Sequence, residues 1–334
     1  MSDISEKMRT CPLKQHIRME LWEKYIRKIK NNNISYLTLY CPTMMDIKYF
    51  TKVGLITHED NTYKGVVGIT NNSKDYAAAI ASLNGRIELL LEGTANDVIN
   101  SRDGKITKQI LSKFPFDAIN LDYCDYIFGS RDTEFLSSDL LDFISIMQKQ
   151  NESNCKEFVL FLTTRSDVNA TGGGFAKSFK SSLKRSISDN IEKYPVFKQK
   201  FISNFNTSEL NAFERDNYDY FIAVGIIKLL LKELFTHGYT IKDCNANWLI
   251  RNDESPLRSL LHLAFHISRP KATVKKLVSD IGKSEYGGEI ILDRIKAGHT
   301  NKYTVKSDFE RLNSMYSVLI GSFGTFEIDT PKPI

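Results

Sequence analysis

What this chain lacks narrows its class first. Its 334 residues hold five cysteines, Cys11, Cys41, Cys124, Cys155 and Cys244, widely spaced and without a CxxC pair. An odd, scattered set argues against a disulfide framework and against a structural zinc site. The six histidines are dispersed and no HExxH occurs, so no metal is expected. No apolar run approaches the roughly 18 residues of a membrane span. The opening residues, MSDISEKMRTCPLKQ, carry no apolar signal-peptide core. A cytoplasmic protein with no membrane partner is the expectation. The triple-glycine stretch TGGGFAKS, with Gly172, Gly173 and Gly174, lacks the GxxxxGK[ST] spacing of a phosphate-cradling loop, which argues against nucleotide hydrolysis. No internal repeat or low-complexity tract is present.

What the chain has is core material and uneven charge. Hydrophobic residues make up 42% and aromatics 11%, enough for a large α/β domain with additions or for two domains. The net charge of +5 is mild. Its distribution is more telling. Residues 7–30 carry eight Lys/Arg against two acids, residues 165–202 eight against three, and residues 269–306 nine against four. Such clusters suit a polyanion, and each also fits a solvated helix face.

Along the chain, apolar residues at Leu13, Ile17, Leu21, Tyr25, Ile26 and Ile29 have helical spacing. Short apolar runs then alternate with helical segments: 34–42, 65–70, 86–93, 116–122 and 157–164. Runs that are apolar on both faces predict a doubly wound, mostly parallel sheet covered on both sides. A basic helical insertion at about 166–215 follows, then a long apolar helix over 218–238. Two extended runs joined by a turn at 253–256 predict a closing antiparallel hairpin. The expected organisation is an N-terminal helical segment (1–33), a Rossmann-like domain (34–268) and a basic C-terminal extension (269–334).

This order, five strand–helix units, a long helix and a reversed final pair, resembles the class I S-adenosylmethionine-dependent methyltransferases. The resemblance implies a seven-stranded sheet and covers about residues 34–268. Within it, FDAINLDYCDYIFG (116–129) and GTANDVINS (93–101) are similar to the fourth-strand and post-strand-three motifs of the tRNA (guanine-N2) dimethyltransferases.

The resemblance implies S-adenosylmethionine as cofactor and a set of site residues. After strand one stands CPTMMD, without glycine, where Asp46 would help to bind the donor's amino group. After strand two, where such enzymes place a ribose-binding acid, stand Asn71 and Asn72. After strand three, Glu92 and Thr94 occupy the adenine side. In NLDYCD, Asp122 would hold the target amine, Tyr123 would stack on the base, and Asn120 faces the same side as Asp122 by strand alternation. Cys124 as a cytosine-type nucleophile would need a preceding proline and a partner glutamate, and neither is evident. Lys177, Lys180, Lys184 and Arg185 are candidates for phosphate-backbone contact. His262 and His266 are four apart on a strand, about 13 Å by strand rise, too far to share a metal, and are assigned to structure. The leading expectation is a nucleic-acid N-methyltransferase acting on RNA or DNA. The alternative is a catalytically degenerate subunit of the same fold that binds nucleic acid or a protein partner. An open pocket beside Asp46, Asn71 and Glu92 would favour the first. One filled by Tyr40, Met44 or Met45 would favour the second.

Overall fold

The computed structural model describes residues 17–81, 85–123, 127, 138–165, 174–216, 218–250, 260–269 and 303–304. It is a mixed α/β protein built on a mostly parallel central sheet, Rossmann-like in layout. A π-helical turn, Arg18–Trp22, runs into helix α1 (Glu23–Arg27). There follow β1 (Tyr36–Leu39), α2 (Met45–Lys52), β2 (His58–Glu59), β3 (Thr62–Thr70), α3 (Ser73–Ala81), β4 (Arg86–Glu92), α4 (Ala95–Ile99) and α5 (Gly104–Leu111). Next come β5 (Ala118–Asp122), α6 (Ser138–Glu152), β6 (Glu157–Arg165), α7 (Gly174–Lys193), α8 (Pro195–Phe205), α9 (Leu210–Asp216) and α10 (Tyr218–Thr236). The described chain closes with β7 (Thr240–Ile250), β8 (Leu260–Ser268) and β9 (Tyr303–Thr304).

The long strands lie in the order β4-β3-β1-β5-β6-β8-β7, with the two-residue strands β2 on β3 and β9 on β7 making nine in all. Every pairing from β4 to β6 is parallel. β8 is antiparallel to both β6 and β7. Numbered by chain order without β2, the parallel strands read 3-2-1-4-5-6, the doubly wound order, with β8 inserted before the last. That order reverses between β1 and β5, so the crevice outside their carboxyl ends is the place where a ligand binds in such sheets. The turn expected at 253–256, between β7 and β8, lies outside the described residues, as does nearly all of 269–334.

Strand alternation divides the core in two. Leu37, Ile119, Leu121, Phe158, Leu160 and Leu162 point to one face, where α6 and the apolar α10 cover them. Tyr36, Ala118, Val159, Phe161 and Ala264 point to the other, under the N-terminal π-turn, α1 and α2. One glycine earns its place by geometry. Gly65 has φ +72, and a Cβ there would lie 2.7 Å from the Ile34 carbonyl oxygen. It sits where the β3–β4 register shifts between Tyr63 and Val67.

Candidate functional site

The face under the N-terminal turn carries polar side chains where a buried parallel strand normally has none. Thr38 of β1 and Asn120 of β5 stand opposite each other near the carboxyl ends. Asp122 and Thr163 form the next row, followed by His262 of β8. These are the strands on either side of the topological reversal.

Asp46 is the centre of this group. It lies in the first turn of α2 and is only 7% exposed. Tyr36 donates its hydroxyl to Asp46 Oδ2 at 2.5 Å, Thr38 donates at 3.2 Å, and Asn120 Nδ2 approaches the same oxygen at 3.5 Å while donating to Thr38 Oγ1 at 3.1 Å. Burial, and then the Asp46 charge, push the Tyr36 phenol well above its ordinary range, so it remains a donor. Two members of the neighbourhood are incomplete. Among the described residues Asn120 Oδ1 is buried without a hydrogen-bond partner, and so are Nε and Nη1 of Arg18, itself only 6% exposed.

The N-terminal turn is pinned over this face by Trp22. Its ring stacks on Phe161 with centroids 4.6 Å apart and an 8° interplanar angle. Its Nε1 donates to His262 Nε2 at 2.8 Å, and His262 Nδ1 meets Thr163 Oγ1 at 3.0 Å. Because Nε2 accepts, the neutral ring carries its proton on Nδ1 and donates to Thr163. His262 is thus structural, as its strand position implies.

The remaining expected residues divide sharply. Asp122 ends β5 half-buried, on the Asn120 face and at the reversal point. Tyr123 is a correction. The next residue points to the opposite face, where Tyr123 is packed in the core with its hydroxyl donating to the Asp139 carbonyl at 3.0 Å. It is not open to stack on a base. Asn72 and Thr94 are also committed elsewhere. Asn72 Oδ1 accepts from Lys74 N and Asp75 N at the start of α3, and Thr94 Oγ1 accepts from Asp97 N as the cap of α4. Glu92 accepts from Ser73 at 2.5 Å. Asn71 is exposed at the end of β3. On α7, Lys184 and Lys180 converge on Glu214 at 2.5 and 3.7 Å, so part of that basic face is neutralised internally. Arg185 is exposed, and Lys177 lies on the same helix. Cys124 lies outside the described residues. Among the described residues no group of three or more His, Cys, Asp or Glu could hold a metal, and no helix is long and apolar enough to cross a membrane.

Beside β1, a cavity of about 140 Å³ is lined by Tyr40, Met44, Ala79, Ile80, Ile87 and Leu90. It is mostly apolar, with Arg86 also in its lining, and falls short of the roughly 300–1,000 Å³ of a small-molecule pocket. Tyr40 and Met44 of its lining are buried, as is the neighbouring Met45.

Sequence reasoning missed Arg18, Tyr36 and Thr38. The available signal was polar residues inside apolar strands, Thr38 in YLTL and Asn120 in AINLD. Arg18 was masked among the basic residues of its segment. Asp142 was missed too. It is 3% exposed on α6 and accepts from the Asn96 backbone N–H at 2.6 Å, anchoring the start of α4. Burial raises its pKa from 3.8 to about 6 despite those hydrogen bonds. A carboxyl raised on folding adds stability at low pH that is lost as the pH rises through its folded pKa. Asp142→Asn, which keeps the acceptor, is expected to flatten the stability–pH profile between about pH 4 and 6. Urea unfolding across that range measures it, and an unchanged slope would remove Asp142 as its source.

A family model described as PP_RS20740-like matches residues 11–279. The chain belongs to that family. The match takes in the N-terminal turn as well as the sheet, so Arg18 and Trp22 lie inside the PP_RS20740-like region. No curated protein matches the chain. Among solved structures, it is similar to M. jannaschii TYW2 in complex with AdoMet, at 8% identity and a TM-score of 0.35, covering 76% of each chain. It is also similar to a Streptococcus thermophilus protein described as a candidate hemolysin, at 7% identity and a TM-score of 0.37, covering 85% of this chain and 76% of that one.

Proposed function

We propose that this PP_RS20740-like chain is an S-adenosylmethionine-dependent methyltransferase that acts on an amine of a nucleic-acid base. The observation that carries the reading is the sheet. It has doubly wound order with an antiparallel strand inserted before the last parallel one, and a polar, partly unsatisfied cluster at the β1/β5 reversal. The reversed closing pair is the feature by which the sequence resembles the class I methyltransferases.

The donor supplies an electrophilic methyl group. The residues fit it through their unsatisfied atoms. Asp46 and Asn120 present a carboxylate and, among the described residues, an unpartnered buried acceptor side by side, and Arg18 of the N-terminal turn has two buried N–H groups, Nε and Nη1, without a hydrogen-bond partner there. Asp122, at the strand end, would accept an N–H from the target amine and hold its lone pair toward the methyl group, a positioning role. The basic residues of α7 that are not spent on Glu214, Arg185 among them, would meet phosphate.

A second reading has its own observation. Tyr40, Met44 and Met45 fill the turn after β1, and Asn72, Glu92 and Thr94 are already hydrogen-bonded. That favours a degenerate module in which the fold serves binding alone, to nucleic acid or to a partner subunit.

Calorimetric titration of the purified chain with S-adenosylmethionine separates the two. Micromolar binding, worth about 8 kcal/mol, is expected on the first reading. No heat at millimolar donor selects the second.

A further inference from the structure

His262 is a titratable side chain sealed into the sheet, 1% exposed, and its two ring nitrogens meet partners of different kinds. Trp22 Nε1 donates to Nε2 at 2.8 Å, and Nδ1 meets Thr163 Oγ1 at 3.0 Å. An indole N–H only donates, whereas a threonine hydroxyl donates or accepts. Nε2 must therefore keep its lone pair for as long as the Trp22 contact exists. An imidazolium has a hydrogen on both nitrogens and no acceptor. Its Nε2–H would point at the indole N–H, hydrogen against hydrogen, with both rings buried.

The same contact ties the π-helical turn Arg18–Trp22 to β8. The surrounding charges come from every element packed there. In the turn, Arg18 lies 5.5 Å over the Trp22 ring and is itself buried, so a cation at His262 would face a guanidinium across one indole. Glu20 is turned to Lys24 at 3.1 Å. On α1, Glu23 is held by Arg27 at 2.7 Å and by Tyr49. On β7, the register neighbour is the neutral Asn247, and Asp243 is paired with Lys28. On β8 itself, His266 is paired with Glu157 at 2.6 Å. On β6 the neighbour is the neutral Thr163, and Asp122 of β5 lies beyond it in the same row.

Docking of the turn and charging of the ring thus exclude each other. The docked turn admits only the neutral ring, so its hold is complete at neutral pH and weakens as the pH falls below the ordinary imidazole range, about 6.5. That sign is opposite to the effect of Asp142, whose buried carboxyl adds stability on acidification.

We propose that the Trp22–His262 hydrogen bond is a proton-sensitive latch, and that protonation of His262 releases the N-terminal turn while the sheet stays folded. Release bares Phe161 and the Thr163–His262 row, next to Asn120 on the same face. The latch stands whether the chain transfers methyl groups or only binds.

The test reads Trp22 directly. Trp248 is the other tryptophan of the chain, so Trp248→Phe leaves Trp22 as the sole indole. Acrylamide quenching of that indole is followed from about pH 7.5 to about pH 5, across the imidazole range, with far-UV circular dichroism on the same samples. Quenching is expected to rise several-fold on acidification while the circular dichroism holds. His262→Gln in the same background has a side-chain oxygen that still accepts from Trp22 and does not titrate. It is expected to keep the indole shielded over the whole range. A rise of equal size and midpoint in His262→Gln would overturn the latch, because another group would then drive release. So would an indole that stays shielded in the parent chain throughout, or one that opens only as the circular dichroism is lost, which is acid unfolding of the whole domain. Should a variant fail to fold, the two indole N–H resonances of the wild-type chain decide. One is expected to move to the position of a free indole on acidification, and two that stay in place would overturn the latch.

Discussion

An Asp122→Ala chain is expected to fold normally, to bind the methyl donor as the wild type does, and to lose about 100-fold or more in methyl transfer to nucleic acid. The expectation follows from position. Asp122 is the last residue of β5, half-buried at the point where the strand order reverses, with Asn120 below it on the same face. A carboxylate there can accept from an amine N–H without itself being desolvated in the core. Positioned side chains of this kind contribute roughly 10²–10⁴ in rate. The measurement is transfer of a labelled methyl group to total tRNA and to DNA, with melting temperature and donor affinity as controls. Transfer that survives the substitution would exclude Asp122 from the chemistry. A fall in donor affinity equal to the fall in rate would reassign it to donor binding.

Trp22→Ala should have the largest effect on stability, about 3–5 kcal/mol. Trp22 is 3% exposed and stacked on Phe161, and its indole N–H satisfies His262. Truncation would remove a large buried ring and strand an acceptor inside the sheet. Trp22→Phe separates the two contributions, because it keeps most of the ring and loses the N–H. It is expected to cost about 1–3 kcal/mol, the penalty for leaving the His262 nitrogen unpaired. Urea unfolding of the three chains measures both differences. Equal stability of the wild type and Trp22→Phe would show that water reaches His262.

The sheet was legible because parallel strands leave a strong trace. VLFL inside β6 and LLL inside β4 are apolar on both faces, and the chain around them alternates with helices. The predicted runs 65–70, 86–93, 116–122 and 157–164 overlap β3, β4, β5 and β6 closely, and the two final runs pair antiparallel as β7 and β8. The site was legible only in part. Asp122 and Asn120 could be placed from alternation along one strand. Tyr123 could not, because the same alternation sends it to the other face, where the Asp139 carbonyl and the core hold it. Asn72 and Thr94 were read as ligand contacts because they follow strands. Asparagine and threonine after a strand are also what starts a helix, and here the caps won. Arg18 was beyond reach of the sequence. Whether a basic residue is solvated or sealed depends on which strand its helix lies across, and that is long-range information.

The hydrogen bond between Trp22 and His262 joins residues 240 positions apart in the chain, and a second clasp joins Lys28 to Asp243 at 2.7 Å. During synthesis the N-terminal turn can pack on Phe50 and on Phe161 of β6 first, and it gains these two clasps only when β7 and β8 emerge, roughly 10–50 s after its own synthesis at ordinary elongation rates. Until then the Trp22 indole N–H and the Lys28 ammonium are without these two partners. Ribosome-stalled or prematurely terminated chains ending before β8 would carry the β1–β6 sheet with its N-terminal turn unclasped.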